Sequence, residues 1–216
     1  MAKFRMRMAR NPKGRWILPN TARRHIQEAL DAAQLPVRRK RGRPFVEAGP
    51  PLAPGHTTSC EFYDVDVTAP ITTAAFARRL DPTLPPGFEI RWIRRLRPRA
   101  RSLQAAASAF CYTVQCCVDA GRAVQFHQAA TWPLARSKRG RQNTIDLKNN
   151  VSRIAVRPAC VDFCIEVHAE GVPKPEEAVA SIFGLEWAEA MLLPIERTAI
   201  FFIPDQTPDA RLLEFA

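Results

Sequence analysis

Three groupings of residues in this chain have the types and spacing to do chemistry. The first is cationic. Lys3, Arg5 and Arg7 alternate with Phe4, Met6 and Met8, and Arg91, Arg95 and Arg97 recur in a second alternating stretch. Arg38-Arg39-Lys40-Arg41-Gly42-Arg43 is a third basic run, and Ser137-Lys138-Arg139-Gly140-Arg141 is a shorter copy of it. Side chains of this kind hold phosphates. The second grouping is acidic. Glu61, Asp64 and Asp66 lie close in sequence, and Asp64 and Asp66 share a face of an extended strand, where like charges can raise a carboxyl pKa. The arginines nearby argue for both staying ionised. The third is a set of thiols: Cys60, Cys111, Cys116, Cys117, Cys160 and Cys164. None forms a CxxC. Cys160, Cys164 and His168 alternate along one side of a strand, but residues four apart there stand roughly 13 Å apart, too far to share one ion. The histidines His25, His56, His127 and His168 are scattered, and no phosphate loop, zinc helix or nucleophile elbow is present. No catalytic residue, metal or cofactor is assigned, and an enzyme is unsupported.

The elements that must position these groups follow from length and pattern. At 216 residues, 46% apolar and 25% charged, the chain has an ordinary globular composition. No apolar run approaches the roughly 20 residues of a membrane span. The basic N-terminus is followed by no apolar stretch, which argues against a secretory signal. A cytoplasmic protein with reduced cysteines is expected. The net charge of +11 is unevenly placed. Lys and Arg number 21 against 8 Asp and Glu up to Arg101, a net of +13; from Ser102 on they number 11 against 13, a net of −2. Solubility alone could explain such a surface, but a polyanion is the partner it suits best.

Lys3–Met8 reads as a half-buried strand. Asn20 or Thr21 can cap a helix running to about Gln34, with Ala22, Ile26, Leu30 and Ala33 buried. Arg38–Pro54 reads as a surface connection with one short strand at most. Cys60–Val67 is a strand, Thr72 caps a helix to Leu80, and Phe88–Arg97 is a strand with Phe88, Ile90, Trp92 and Leu96 inward. This order is the split βαβ grammar of a ferredoxin-like βαββαβ domain. Phe110–Val118 and Val161–Val167 read as strands, Ser137–Asn143 as a basic loop, and Pro173–Lys174 opens a helix that buries Ala178, Val179, Ile182 and Phe183. The fold class is therefore α+β. Residues 1–101 form a basic ferredoxin-like domain, 108–205 a second, looser ferredoxin-like half, and 206–216 a tail.

In such a sheet Lys3, Arg5 and Arg7 lie beside Arg91 and Arg95, with Phe62 among them. Cations with an exposed aromatic on an open sheet suit single-stranded RNA, the ring stacking on a base. Arg39, Lys40 and Arg41 would add phosphate attraction. The competing expectation is that Asp64 and Asp66 neutralise Arg5 and Arg7 across strands while the second domain covers Phe62.

Pro51-Leu52-Ala53-Pro54-Gly55, then Thr58, Glu61 and Asp64, resembles the PLPxGxxSxxEyxD stretch of the radical SAM-linked protein family of unknown function. The run Ala29–Pro36, the turn Leu84-Pro85-Pro86-Gly87-Phe88, Ile145-Asp146-Leu147, Lys174-Pro175-Glu176-Glu177 and Ile195-Glu196-Arg197-Thr198-Ala199 resemble further landmarks of that family. The resemblance makes Gly55, Thr58, Glu61, Asp64 and Arg197 motif positions. It implies a cytoplasmic accessory protein with a radical SAM protein as partner. The chain departs from the family where Leu18-Pro19-Asn20-Thr21-Ala22 stands in place of LSHLD, and where Arg38–Glu47 replaces SxGFNPxP. It also lacks the CxxxCxxC that would hold an iron–sulfur cluster. Accessory RNA binding is the leading expectation. An adaptor that binds a radical SAM partner and no nucleic acid is the alternative, and a hydrolase or transferase using Glu61 and Asp64 is a third.

Overall fold

The alternation at the N-terminus does form a strand. In the computed structural model, which describes residues 2–96, 102–138, 141–169 and 171–203, β1 spans Ala2–Arg10 and buries Phe4, Met6 and Met8 in one cluster. Helix α1 (Pro19–Ala32) lays Ala22, Ile26, Ala29 and Leu30 on that cluster. Its start differs from expectation: Leu18 is the N-cap and makes no side-chain cap, because Pro19, with φ already fixed near the helical value, opens the first turn.

The basic run after α1 is more ordered than its composition suggests. β2 (Arg39–Lys40) and β3 (Arg43–Pro44) pair as a minimal hairpin, and β4 (Val46–Ala48) follows. Arg41 and Gly42 turn the hairpin with φ of 53° and 78°, as a two-residue type I′ turn requires. An arginine at the first turn position hides a signal usually written Asn-Gly or Asp-Gly.

β5 (Thr57–Val67), α2 (Thr73–Leu80) and β6 (Phe88–Leu96) complete the arrangement, and a short α3 (Leu103–Ala106) follows. The Thr72 hydroxyl caps α2 by accepting from the Ala75 N–H at 3.1 Å. The strands run in the order β4-β5-β1-β6, each antiparallel to its neighbour. With α1 and α2 as crossovers, this is the split βαβ order. It belongs to the first of two compact units, which takes in residues up to Ala107 and is rejoined by Phe202; the second is Ser108–Phe201.

The second unit has the same connectivity. β7 (Ala107–Gln115) leads to α4 (Ala120–Gln128), a hairpin of β8 (Pro133–Lys138) and β9 (Arg141–Asp146), a turn of helix α5 (Leu147–Asn150), β10 (Val151–Arg157) and β11 (Cys160–Glu166). α6 (Pro175–Phe183), the short α7 (Trp187–Ala190) and β12 (Ile195–Phe202) finish it. Its strand order is β10-β11-β7-β12. The core of this unit gathers Phe126, Val161, Ala178, Val179 and Ile182. In both units a two-stranded hairpin is inserted between the first helix and the second strand of the sheet. Lys138 pairs with Arg141 as Lys40 pairs with Arg43, and both hairpins carry the sequence Lys-Arg-Gly-Arg. The basic loop expected at Ser137–Asn143 is thus largely strand; Arg139 and Gly140 lie outside the described residues.

One further expectation is corrected. Cys111 and Cys164 stand directly opposite each other on β7 and β11 and are joined as a disulfide, so not every thiol is free. No helix among the described residues is long and apolar enough to cross a membrane.

Candidate nucleic-acid interface

Register decides which charges share a surface. In an antiparallel pair, residues directly opposite lie on one face. Arg5 is opposite Asp64 on β5 and Arg94 on β6; Arg7 is opposite Phe62 and Trp92. Between Arg7↔Trp92 and Met8↔Ile90 the ladder skips Arg91, which is the extra residue of a bulge. That single residue shifts the phase of the rest of β6. Trp92 and Arg94 join the Arg5 face, while Arg95 falls opposite Phe4 on the helix side. The expected grouping of Arg91 and Arg95 beside Arg5 and Arg7 therefore does not form. Arg97, expected to extend it, lies outside the described residues.

The Arg5 face is also closed. Arg5 is 5% exposed and Asp64 1%, and the guanidinium grips the carboxylate with two hydrogen bonds of 2.8 Å. Phe62, expected to stand open as a stacking ring, is 5% exposed. It packs against Trp92 at 5.8 Å and Phe202 at 5.3 Å between ring centroids, and Arg5 itself lies over the Phe202 ring. Lys3 pairs with Glu47 at 3.1 Å, and Arg7 donates to the Ser59 carbonyl at 2.9 Å. Asp66 pairs with Arg38 at 3.2 Å. Burial pushes the Asp64 carboxyl above its ordinary value, against the pull of Arg5 and Lys3. The shift is upward, as a like-charge pair would give, but desolvation causes it.

The motif positions form no acid–base pair. Glu61 accepts from Arg10 Nε at 3.0 Å, with both side chains buried. It lies opposite Met8, whereas Asp64, three residues on, points to the other side of β5. Each carboxylate is occupied by its own arginine. Thr58 is buried, its hydroxyl accepting from the Cys60 N–H at 3.0 Å. Arg197 is buried in the second unit, with its guanidinium 5.9 Å from the centroid of the Phe110 ring.

What stays open is the hairpin and the helix beneath it. Arg39, Lys40, Arg41 and Arg43 are exposed. Arg39 is paired to Asp31 of α1 and also donates to the Gly42 carbonyl. Among the described residues, no carboxylate pairs with Lys40, Arg41 or Arg43, nor with Arg23 on α1 or Lys13 before it. The hairpin is braced rather than loose. Arg38 and Lys40 sit over the Phe45 ring at 5.0 and 5.8 Å, and Gln27 of α1 donates to the Pro44 carbonyl at 2.7 Å. Arg24 and Arg43 line one open groove between α1 and the hairpin, with Gln27, Glu28 and Asp31.

The sequence reading passed over Trp16, which is 67% exposed in the turn between β1 and α1. An isolated tryptophan between a turn and a helix carries no periodic signal; only its position outside every amphipathic pattern marks it.

Fold and surface thus define a tandem α+β protein with a cationic hairpin on its first unit. The chain belongs to the DUF2344 family, described as an uncharacterized protein conserved in bacteria, which matches residues 3–175. No curated protein matches it.

Proposed function

We propose that the protein is a non-catalytic accessory factor that binds single-stranded RNA, with its contacts on the β2–β3 hairpin and α1 rather than on the sheet. The observation that supports this reading is the set of exposed cations, Lys40, Arg41 and Arg43, that have no carboxylate partner among the described residues, on a braced hairpin. A cation already paired gains little from a phosphate; an unpaired one releases the counterions of the nucleic acid when it binds. The test is affinity for a fluorescein-labelled single-stranded RNA across a salt series. Each phosphate contact contributes about 0.7 to the slope of log affinity against log salt for single strands. The triple variant Lys40→Gln, Arg41→Gln, Arg43→Gln is expected to lose about 2 from that slope with an unchanged unfolding midpoint. An unaltered slope removes the hairpin from the reading.

The resemblance to the radical SAM-linked family supports a place beside a radical SAM protein in RNA modification, in the cytoplasm. That compartment keeps thiols reduced, and there Cys111 and Cys164 would face each other as a thiol pair. The second reading is an adaptor for such a partner, binding no nucleic acid. It is favoured by Trp187, Met191 and Leu192, which are 48%, 51% and 84% exposed in and after α7. Co-purification with a radical SAM protein, free of nucleic acid, supports the adaptor over RNA binding.

A further inference from the structure

Of the four tryptophans, Trp16 is the most exposed, and the chain goes to some length to hold it there. An indole left in water forgoes much of the free energy of its burial. A mobile loop would let it fold back onto the protein. This loop is not free to do so.

Behind it, Arg10 is fully buried, clamped by Glu61, and donates from Nη1 to the Ile17 carbonyl at 2.7 Å. The Gly55 N–H donates to the Arg15 carbonyl at 2.8 Å. Gly55 adopts φ of 92°, where a side chain is strained, and a Cβ there would crowd the indole ring at 3.1 Å. Gly14 packs on Gly87, whose own Cβ would come within 2.4 Å of the Gly14 nitrogen, and the Asn11 N–H donates to the Gly87 carbonyl at 2.9 Å. Thus Gly55 and Glu61, singled out from sequence as motif positions, both serve to fix Trp16.

A cation lies against the ring. The Arg15 guanidinium lies over it at 5.1 Å, and Lys13 is exposed two residues further back. A fixed, exposed ring beside a guanidinium offers a base a stacking surface and its phosphates a counter-charge. A protein partner fits less well, because the other large apolar side chain exposed in this turn is Leu18, at 57%, far short of a stable interface.

The position fits the hairpin. Arg38 joins the sheet beside Asp66, opposite Lys3 at the start of β1, and Trp16 follows its end. The nine residues of β1 separate the two by roughly 26 Å. α1, about 21 Å long and with Arg23 exposed, runs from the Trp16 turn back toward the hairpin, where its Asp31 pairs with Arg39.

We infer that Trp16 is a base-stacking platform for single-stranded RNA, the base-reading end of a strand whose phosphates run along α1 to the hairpin. This rests on the RNA-binding reading above, and its test separates the two. Wild type, Trp16→Ala and Trp16→Phe are titrated with fluorescein-labelled oligoadenylate of twelve nucleotides, and separately with inorganic polyphosphate, which has charge and no bases. Trp16→Ala is expected to weaken the oligoadenylate by about five- to hundredfold, the range of one base–aromatic stack. It should leave polyphosphate binding, the salt slope and the unfolding midpoint unchanged, and Trp16→Phe should retain most of the affinity. If Trp16→Ala binds oligoadenylate like wild type, or loses both polyanions equally, the stacking role is overturned while RNA binding stands. A wild type that binds neither polyanion overturns both. Loss of a protein partner by Trp16→Ala with oligoadenylate affinity intact assigns the ring to a protein interface and overturns the proposal.

Discussion

Two clusters in the first unit are built from the same residue types and have opposite fates. On the β1–β5 ladder, Arg5 and Arg10 are sealed in, each held by one carboxylate, Asp64 and Glu61. On the β2–β3 hairpin, Lys40, Arg41 and Arg43 stand in water, with no carboxylate partner among the described residues. Each carries four cations, Lys3, Arg5, Arg7 and Arg10 within Ala2–Arg10 and Arg39, Lys40, Arg41 and Arg43 within Arg39–Pro44. The difference lies in the partner strand. β5 brings a carboxylate opposite or next to each buried arginine, whereas β2 and β3 face only each other. Positive charge that meets a matching acid across a ladder is architecture; charge that meets none remains available for a ligand.

The strongest test of this contrast is to remove one partner of a buried pair. Asp64→Ala leaves Arg5 desolvated and uncompensated, which costs about 3–5 kcal/mol. Glu61→Ala should do the same to Arg10. Replacing both partners with apolar residues, Arg5→Met with Asp64→Leu, should recover most of the loss, because no charge is then stranded. Urea unfolding of the three variants reads this directly. If Asp64→Ala costs no more than a typical surface substitution, within about 0.5 kcal/mol, the ladder is not sealed and the contrast collapses.

Much of the first unit was legible in the sequence, for a definite reason. β1, α1, β5 and α2 each bury one face of a regular element, and the periods of Phe4-Met6-Met8 and Ala22-Ile26-Leu30 say so. The candidate site was not legible in the same way. Local alternation places Arg91 and Arg95 on the Arg5 face, but the bulge at Arg91 reverses the phase of every residue after it, and bulges have no periodic signature. Phe62 looked open because its covers, Trp92 and Phe202, come from 30 and 140 positions further along the chain, beyond the reach of any local pattern. The second unit's strands and last helix show the same grammar more loosely, but the hairpin inserted in each unit has no side-chain pattern of its own; only the repeated Lys-Arg-Gly-Arg marks it.

The hairpin can be loosened without touching its charges. Gly42 has φ of 78° with nothing within 4 Å of a built Cβ, so Gly42→Ala meets strain and no clash. A left-handed residue with a side chain costs about 1–2 kcal/mol. Paid locally, that should splay β2 from β3 and weaken RNA binding severalfold while the global unfolding midpoint hardly moves. Gly42→Asn, which tolerates this conformation, should bind nearly as wild type. Equal behaviour of the two variants would show that the I′ turn does not hold the cations in place.

The smallest effect is a matter of protons. Asp64 has its folded pKa raised above the ordinary value of 3.8, chiefly by burial. Below that value the carboxyl is protonated in both states. As pH climbs past it, the unfolded chain releases the proton while the folded one still holds it, so this residue's contribution to stability declines, and it levels off once the folded carboxyl has titrated too. Other acids add slopes of their own, so the informative quantity is the difference between wild type and Asp64→Asn in urea midpoints taken from about pH 3.5 upward. Wild type should lose ground relative to Asp64→Asn over the window that opens near 3.8 and closes above the raised value. The hairpin variant Arg41→Gln, whose side chain has no buried acid to perturb, should track wild type at every pH. A difference curve of the opposite sign would mean that Arg5 outweighs desolvation, and that even the sealed pair titrates as an ordinary surface bridge.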